Sequence, residues 1–132
     1  AVRVHRCDVS QQPAVLELRA ALTGPLACLL HLAGALADGT LPSLSRESFE
    51  RSYGPKVHGL HHLCRGLPFE AGAGFVLFSS TSSLFGAPGQ ANYAAANSAL
   101  DSLAPHWSAE GSRRARSVQW GPWAEAGMAV ER

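Results

Sequence analysis

The chain has 132 residues, 46% of them hydrophobic and 16% charged, with a formal net charge of +1. That length holds one domain at most, or a piece of one, and the apolar content is that of a buried-sheet protein rather than a disordered segment. The near-neutral balance gives no footprint for nucleic acid or for an acidic membrane surface.

Three cysteines, Cys7, Cys28 and Cys64, are odd in number and lack C-x-x-C spacing. They suit buried thiols in a reducing compartment. The expected setting is cytoplasmic, with an organelle such as a plastid left open. The first ten residues carry charges throughout, unlike a secretory leader. No apolar run approaches the length of a membrane span. The first residue is Ala1 rather than Met, so the chain is expected to begin mid-protein or to have been processed.

In chain order, Val2, Val4 and Val9 around Cys7-Asp8 predict the end of a strand feeding a turn. Ser10 or the residue after it is placed to cap a helix over 12–22, with Pro13 in the first turn. The apolar run 26–32, closed by Ala33-Gly34, predicts a fully buried parallel strand. Phe49, Val57, Leu60 and Leu63 mark one helix face over 45–63, interrupted by Gly54-Pro55. Residues 75–78 are again apolar and end in Ser79-Ser80. Gly86, Pro88 and Gly89 mark a loop. Alanine-rich 92–103 is helical, and Pro105 predicts an end or kink near Leu103. A last strand over 117–120 stops at Gly121-Pro122. Strands alternating with helices argue an α/β fold, a parallel sheet with helices on both faces. In such sheets ligands bind at the carboxyl ends of the strands.

Four residues at fixed spacings carry chemistry. Ser80 and Tyr93 lie thirteen positions apart, Asn97 follows Tyr93 by four, and Lys56 precedes Ser80 by twenty-four. A free phenol has a pKa of about 10, and a nearby cation favours its ionised form. Lys56 is the candidate cation. Tyr93 would then act as general acid towards a developing alkoxide. Ser80 would donate a hydrogen bond to the same oxygen. Asn97 shares the helix face of Tyr93, and its amide can reach Lys56 directly or through water. This is equipment for hydride reduction of a ketone. Tyr93 alone could equally be a tyrosine anchored at a sheet edge. No G-x-G-x-x-G turn occurs in the chain.

Residues 75–80 (Phe-Val-Leu-Phe-Ser-Ser), 86–97 (Gly-Ala-Pro-Gly-Gln-Ala-Asn-Tyr-Ala-Ala-Ala-Asn) and 119–123 (Gln-Trp-Gly-Pro-Trp) closely resemble the ketoreductase domain of modular polyketide synthases. Animal-type fatty acid synthases carry a relative. The resemblance runs from Cys7-Asp8-Val9 to Gly127-Met128. An ordinary short-chain dehydrogenase has Lys four residues after the Tyr. In this family that position is Asn and the Lys comes from an upstream helix, as Asn97 and Lys56 do here.

The resemblance implies a Rossmann-like doubly wound sheet, present in part. It implies NADPH-dependent reduction of a 3-ketoacyl thioester on an acyl carrier protein, beside other synthase domains. Tyr93 would be the acid, Ser80 the carbonyl partner, and Lys56 and Asn97 the supporting pair. Asp8 and Val9 would border the adenine, Ala33 and Gly34 the ribose, and Gly121 and Pro122 the nicotinamide. Residues 1–132 would form the carboxyl-terminal part of the catalytic subdomain. The glycine-rich loop and a smaller subdomain would then precede Ala1, and a lid helix would lie around or after Met128. Such a segment alone is expected to be inactive. Leu36-Ala37-Asp38 departs from the Leu-Asp-Asp of members that give D alcohols. Phe85 stands where members that give L alcohols carry Trp. Pro88 and Asn92 lean to the D pattern.

Other groups are weaker. His58, His61 and His62 read as a surface run rather than a metal site, and His31 as a core histidine with a backbone partner. Trp107, Trp120 and Trp123 read as packing residues. Arg113, Arg114 and Arg116 read as a solvated loop. Two rival functions remain: a non-catalytic ketoreductase-like scaffold within a synthase, and a dehydrogenase acting on a free small alcohol. The intact foursome argues against the first, and Asn97 in place of Lys against the second.

Overall fold

The computed structural model of the protein describes residues 2–111 and 113–122. Three strands, β1 (Leu26–His31), β2 (Phe69–Ser80) and β3 (Arg114–Trp120), form a parallel sheet in the order β1-β2-β3. Leu29 pairs with Phe75 and His31 with Leu77 on one side of β2, while Phe75 pairs with Ala115 and Ser80 with Trp120 on the other. The apolar run 75–78 therefore lies in the strand with two ladder neighbours, where branched and aromatic side chains are buried best.

Helix α1 (Gln12–Ala20) starts at Gln11, whose side chain makes no capping bond. Instead the Asp8 carboxylate accepts the Ser10 N–H at 3.0 Å and the Ser10 hydroxyl at 2.7 Å, forming the turn before the helix. Helix α2 (Arg46–Tyr53) is capped by Ser45, whose hydroxyl oxygen accepts the Ser48 N–H at 3.1 Å. The expected interruption at Gly54-Pro55 is a π-helical turn over Gly54–His58 that leads straight into α3 (Gly59–Gly66). Pro55 has no N–H to give, and in a regular helix its ring would strike the carbonyl four residues back. The wider turn accommodates both, and the Gly59 N–H bonds the Gly54 carbonyl.

Short α4 (Ser82–Phe85) follows β2, and α5 (Ala91–Ala109) precedes β3. Against expectation, α5 runs through Pro105 without ending near Leu103. Leu100 and Ala104 are buried against the sheet, and that packing offsets the bond lost to the Asp101 carbonyl. No described helix is long and apolar enough to cross a membrane.

The core lies on one face of the sheet. Phe75, Leu77 and Ala115 meet Leu60 of α3 and Leu100 and Ala104 of α5. Val15 of α1 joins Leu63 and Leu67 in an adjoining cluster against Leu26, Leu29 and Phe69. Helix α3 approaches closely enough that a Cβ on Gly66 would sit 2.9 Å from Val15 Cγ1. The alternate residues Val76, Phe78 and Val118 are half-buried, and Cys28 and Leu30 are exposed. β1 is therefore not the fully buried strand its composition predicts: it has one ladder neighbour and one covered face among the described residues. The strand expected at Val2 and Val4 also forms no ladder, and these side chains are 92% and 90% exposed. Without a pairing partner, alternation alone does not make a strand.

The arginines depart from a solvated loop. Arg114 and Arg116 stand on β3. The Arg113 guanidinium lies 5.1 Å from the Phe75 ring and 5.0 Å from the Trp107 ring and donates to the Cys64 carbonyl at 3.3 Å. A weakly hydrated planar cation can pack on aromatic faces in this way. Leu77 is fully buried between α3 and α5. Leu77→Ala is expected to cost about 2–5 kcal/mol, read by chemical denaturation of the domain; an unchanged midpoint would place Leu77 outside the core.

Candidate active site

The parallel order brings the carboxyl ends of β1, β2 and β3 to one edge of the sheet. Ser79 and Ser80 end the central strand, and the Thr81 N–H bonds the Trp120 carbonyl at 3.0 Å. Ser79 faces α5, where its hydroxyl donates to the Asn97 carbonyl at 3.2 Å. The Ser80 hydroxyl oxygen accepts the Ser82 N–H at 3.2 Å. Its own hydrogen is left uncommitted among the described residues.

Tyr93 and Asn97 stand one turn apart on α5. Tyr93 is half-buried, and no described residue hydrogen-bonds its hydroxyl. The fully buried Asn97 donates its amide hydrogen to the Tyr93 carbonyl at 2.8 Å. Its Oδ1 is a buried acceptor with no partner among the described residues.

Lys56 reaches this group from the π turn. Its side chain is buried at 2% exposure, and its Nζ donates to the Phe78 carbonyl at 2.8 Å. The same Nζ lies 5.4 Å from the centre of the Tyr93 ring. Burial lowers the Lys56 pKa to about 8, while the attraction of Asp101 works the other way. The structure thus gathers Lys56, Tyr93 and Asn97 with the end of β2. The direct bond between Lys56 and Asn97 that the spacing allowed is not made.

Two further groups hold the site. His31 donates from Nε2 to the Lys56 carbonyl at 2.8 Å. Burial pushes its pKa down, in keeping with a neutral ring that carries its hydrogen on Nε2. Asn92, fully buried beside Tyr93, is the residue sequence reasoning missed as a brace. Its amide donates to the carbonyls of Ala37 at 2.8 Å and Ser48 at 2.9 Å, and its oxygen accepts the Tyr93 N–H at 2.9 Å. Gln90 donates to Asp38 at 3.1 Å, and the Gly39 N–H bonds the Gly89 carbonyl at 2.9 Å. Gly89 has φ +73°, a left-handed turn that glycine adopts without strain. The signal was present in the sequence as an Asn adjacent to the Tyr at a helix start.

Of the expected cofactor residues, Ala33, Gly34, Gly121 and Pro122 follow strand ends at this edge, while Asp8 and Val9 lie in the turn before α1. The Asp8 carboxylate is engaged with Ser10 and exposed. Val9 is pinned to α3, where its carbonyl accepts His62 Nδ1 at 3.1 Å and a Cβ on Gly59 would lie 2.7 Å from its Cγ2. Ala33 and Gly34 follow β1 half-buried, and Gly121 and Pro122 follow β3 exposed. A Cβ on Gly121 would meet nothing within 4 Å. His58 packs edge-on against Tyr53 at 5.6 Å. Trp107 meets Phe75 at 6.0 Å and Trp120 stacks on Phe78 at 5.5 Å, so both serve packing. Trp123, Gly127 and Met128 lie outside the described residues.

Comparison with known proteins places this geometry. The KR domain family model matches residues 1–125. Polyketide synthase GfsB of Streptomyces halstedii is 48% identical over 135 residues, covering 98% of this chain and 2% of that protein. The ketoreductase from the first module of phoslactomycin biosynthesis in Streptomyces sp. HK803 superposes with a TM-score of 0.81 at 39% identity, covering 97% of this chain and 29% of the other. A structure of A-type ketoreductases from a modular polyketide synthase gives a TM-score of 0.83 at 37% identity, covering 98% and 28%. The chain therefore spans a small fraction of the synthases it matches and under a third of the solved ketoreductases. The Rossmann-like α/β architecture, the parallel register and the match over nearly the whole chain identify it as a segment of a KR domain, the ketoreductase of polyketide synthases.

Proposed function

We propose that this segment carries the proton-transfer site of an NADPH-dependent reductase that converts a 3-ketoacyl thioester on an acyl carrier protein to the 3-hydroxyacyl thioester. The observation that carries the reading is the buried Lys56 ammonium 5.4 Å from the Tyr93 ring, bonded to a carbonyl two residues before Ser80. The polyketide synthase relatives support the thioester class and a setting among other synthase domains.

Ser80, already accepting a backbone N–H, directs its own hydrogen to the ketone oxygen. Tyr93 gives its phenolic proton to that oxygen as it becomes an alkoxide. Lys56 stabilises the phenolate left behind. Asn97 fixes the Tyr93 backbone, and its buried Oδ1 is an acceptor for a water relaying protons from solvent. A nicotinamide dinucleotide is assigned to Asp8, Val9, Ala33, Gly34, Gly121 and Pro122: the Asp8 carboxylate is exposed, and no described atom lies within 4 Å of a Cβ on Gly121. When bound there it would supply the hydride.

Tyr93→Phe in the full-length protein is expected to lower turnover of a model 3-ketoacyl thioester by about 10²–10⁴-fold, with NADPH affinity unchanged by fluorescence titration. Near-normal turnover would refute the assignment.

The Lys56 pKa of about 8 sets a pH window. Deprotonation removes the charge that supports the phenolate, so turnover should fall as pH rises through about 8. Lys56→Met should be slow throughout and lack that limb. Stability runs the other way. The unfolded chain binds the proton up to about 10.5 and the folded one only to about 8, so folding should gain on the order of 3 kcal/mol as pH rises across this window. Thermal melts of both proteins test the sign.

The 132 residues alone are expected to bind NADPH weakly and to turn over negligibly. They contain no glycine-rich turn after a strand to receive a pyrophosphate, and Leu30 on β1 is 58% exposed at an unpaired edge, which invites association. NADPH titration of the segment beside the full-length protein decides it; equal affinity would overturn this expectation.

A further inference from the structure

Asp101 takes no part in the proton route above, yet three side chains donate hydrogen bonds to its carboxylate close to that route. It lies on α5, four residues after Asn97 and eight after Tyr93. Its carboxylate accepts the Ser117 hydroxyl at 2.5 Å, the Ser83 hydroxyl at 2.6 Å and the Gln119 amide at 2.8 Å. Ser117 and Gln119 stand two apart on β3 and so share a face. Ser83 belongs to α4, and its oxygen also lies 2.8 Å from the Ser80 carbonyl. One carboxylate thus ties α4, α5 and β3 together at the edge where Ser80 ends β2. No ion pair neutralises it among the described residues. Burial alone would push its carboxyl up, but the bonds from Ser117, Ser83 and Gln119 outweigh that and hold it below its ordinary value, as an anion.

We propose that Asp101 is a positioning residue for the reduction: it fixes the Ser80 turn through Ser83. The proposal rests on the reading of Ser80, Tyr93 and Lys56 as the reacting group. Ser83 has a single hydrogen placed between two acceptors, so its position, and that of the Ser80 carbonyl beside it, follows the carboxylate. Among the described residues the groups facing Lys56 are few. Tyr93 faces it from α5, the Phe78 carbonyl from β2 and His31 from β1, and the Asp101 charge acts on it. His58 shares its own turn. His31 is held towards neutrality by burial and by the Lys56 charge itself. Asp101 is therefore the anion that opposes the loss of the Lys56 proton.

The test compares Asp101→Asn, Asp101→Glu and Tyr93→Phe in the full-length protein. It reads kcat and KM for a model 3-ketoacyl thioester against pH, with NADPH binding followed by fluorescence. Asp101→Asn is expected to lower kcat about tenfold, leave KM and NADPH binding unchanged, and move the alkaline limb to lower pH. Asp101→Glu should return the limb towards its original place, which a merely structural role would not do. An unchanged limb and kcat in Asp101→Asn, with Tyr93→Phe inactive, overturns the proposal while sparing the catalytic reading. An active Tyr93→Phe overturns both. If Asp101→Asn does not fold, Ser83→Ala serves, because it keeps the carboxylate and both bonds from β3. It should lower kcat about tenfold with the limb in place, and an unchanged kcat overturns the proposal.

Discussion

Burying an ammonium is the costliest thing this fold does. A lysine amine taken from water needs partners or gives up its proton, and Lys56 at 2% exposure has partners from several sides. The Phe78 carbonyl accepts from it, the face of Tyr93 lies against it, and the Asp101 charge acts on it. Its backbone is held as well, by His31 from β1. These contacts come from β1, β2 and α5, so the position of one nitrogen depends on the docking of most of the described structure.

The π turn is what brings the nitrogen there. Pro55 excludes a regular helical bond at this point, and the turn absorbs the mismatch without ending the helix. Lys56 follows Pro55 immediately, inside the widened turn and buried with Gly54. Asn92 then fixes how the helix sits on α5. Its amide donates to the Ser48 carbonyl of α2 and lies 3.2 Å from the Ser52 hydroxyl, while its oxygen takes the Tyr93 N–H. The residue beside Tyr93 therefore sets the spacing between the tyrosine's helix and the lysine's helix. The same amide holds Ala37, so the loop after β1 is braced to the site as well.

What was legible in the sequence was local. Ser80 at a strand end and Tyr93 and Asn97 on one helix face follow from short spacings, which backbone periodicity converts directly into geometry. From the first helix onward the order of strands and helices was equally readable, since runs of buried residues alternate with amphipathic ones, but the strand expected around Val2 and Val4 does not form. What depended on distant partners was not. Pro105 argued for a helix end because propensity alone cannot register the burial of Leu100 and Ala104 on the sheet. Residues 26–32 argued for a fully buried strand because apolar content cannot say how many neighbours a strand has. Arg113 looked solvated because its two aromatic partners, Phe75 and Trp107, lie elsewhere in the chain. Lys56 was singled out by its spacing from Ser80 and supported by the family resemblance, but its surroundings were not legible, since its nearest partners lie more than twenty residues away.

Placing the cation on a separate helix has a consequence for how the site forms. A lysine four residues after the tyrosine would share its helix and accompany it whenever α5 formed. Here that position is Asn97, which spends its amide on the Tyr93 carbonyl and buries its oxygen. The phenol and the cation meet only once α2, the π turn and α3 have docked on α5 and β2. The placing of the Lys56 charge against the Tyr93 ring is thus a property of the assembled sheet and helices, not of one helix. The pKa of the cation follows from the same packing: the burial that brings Lys56 to Tyr93 also lowers its proton affinity to about 8. The fold therefore has to supply carbonyl, ring and anion together, because any looser arrangement would admit water and weaken the electrostatic effect on the phenol.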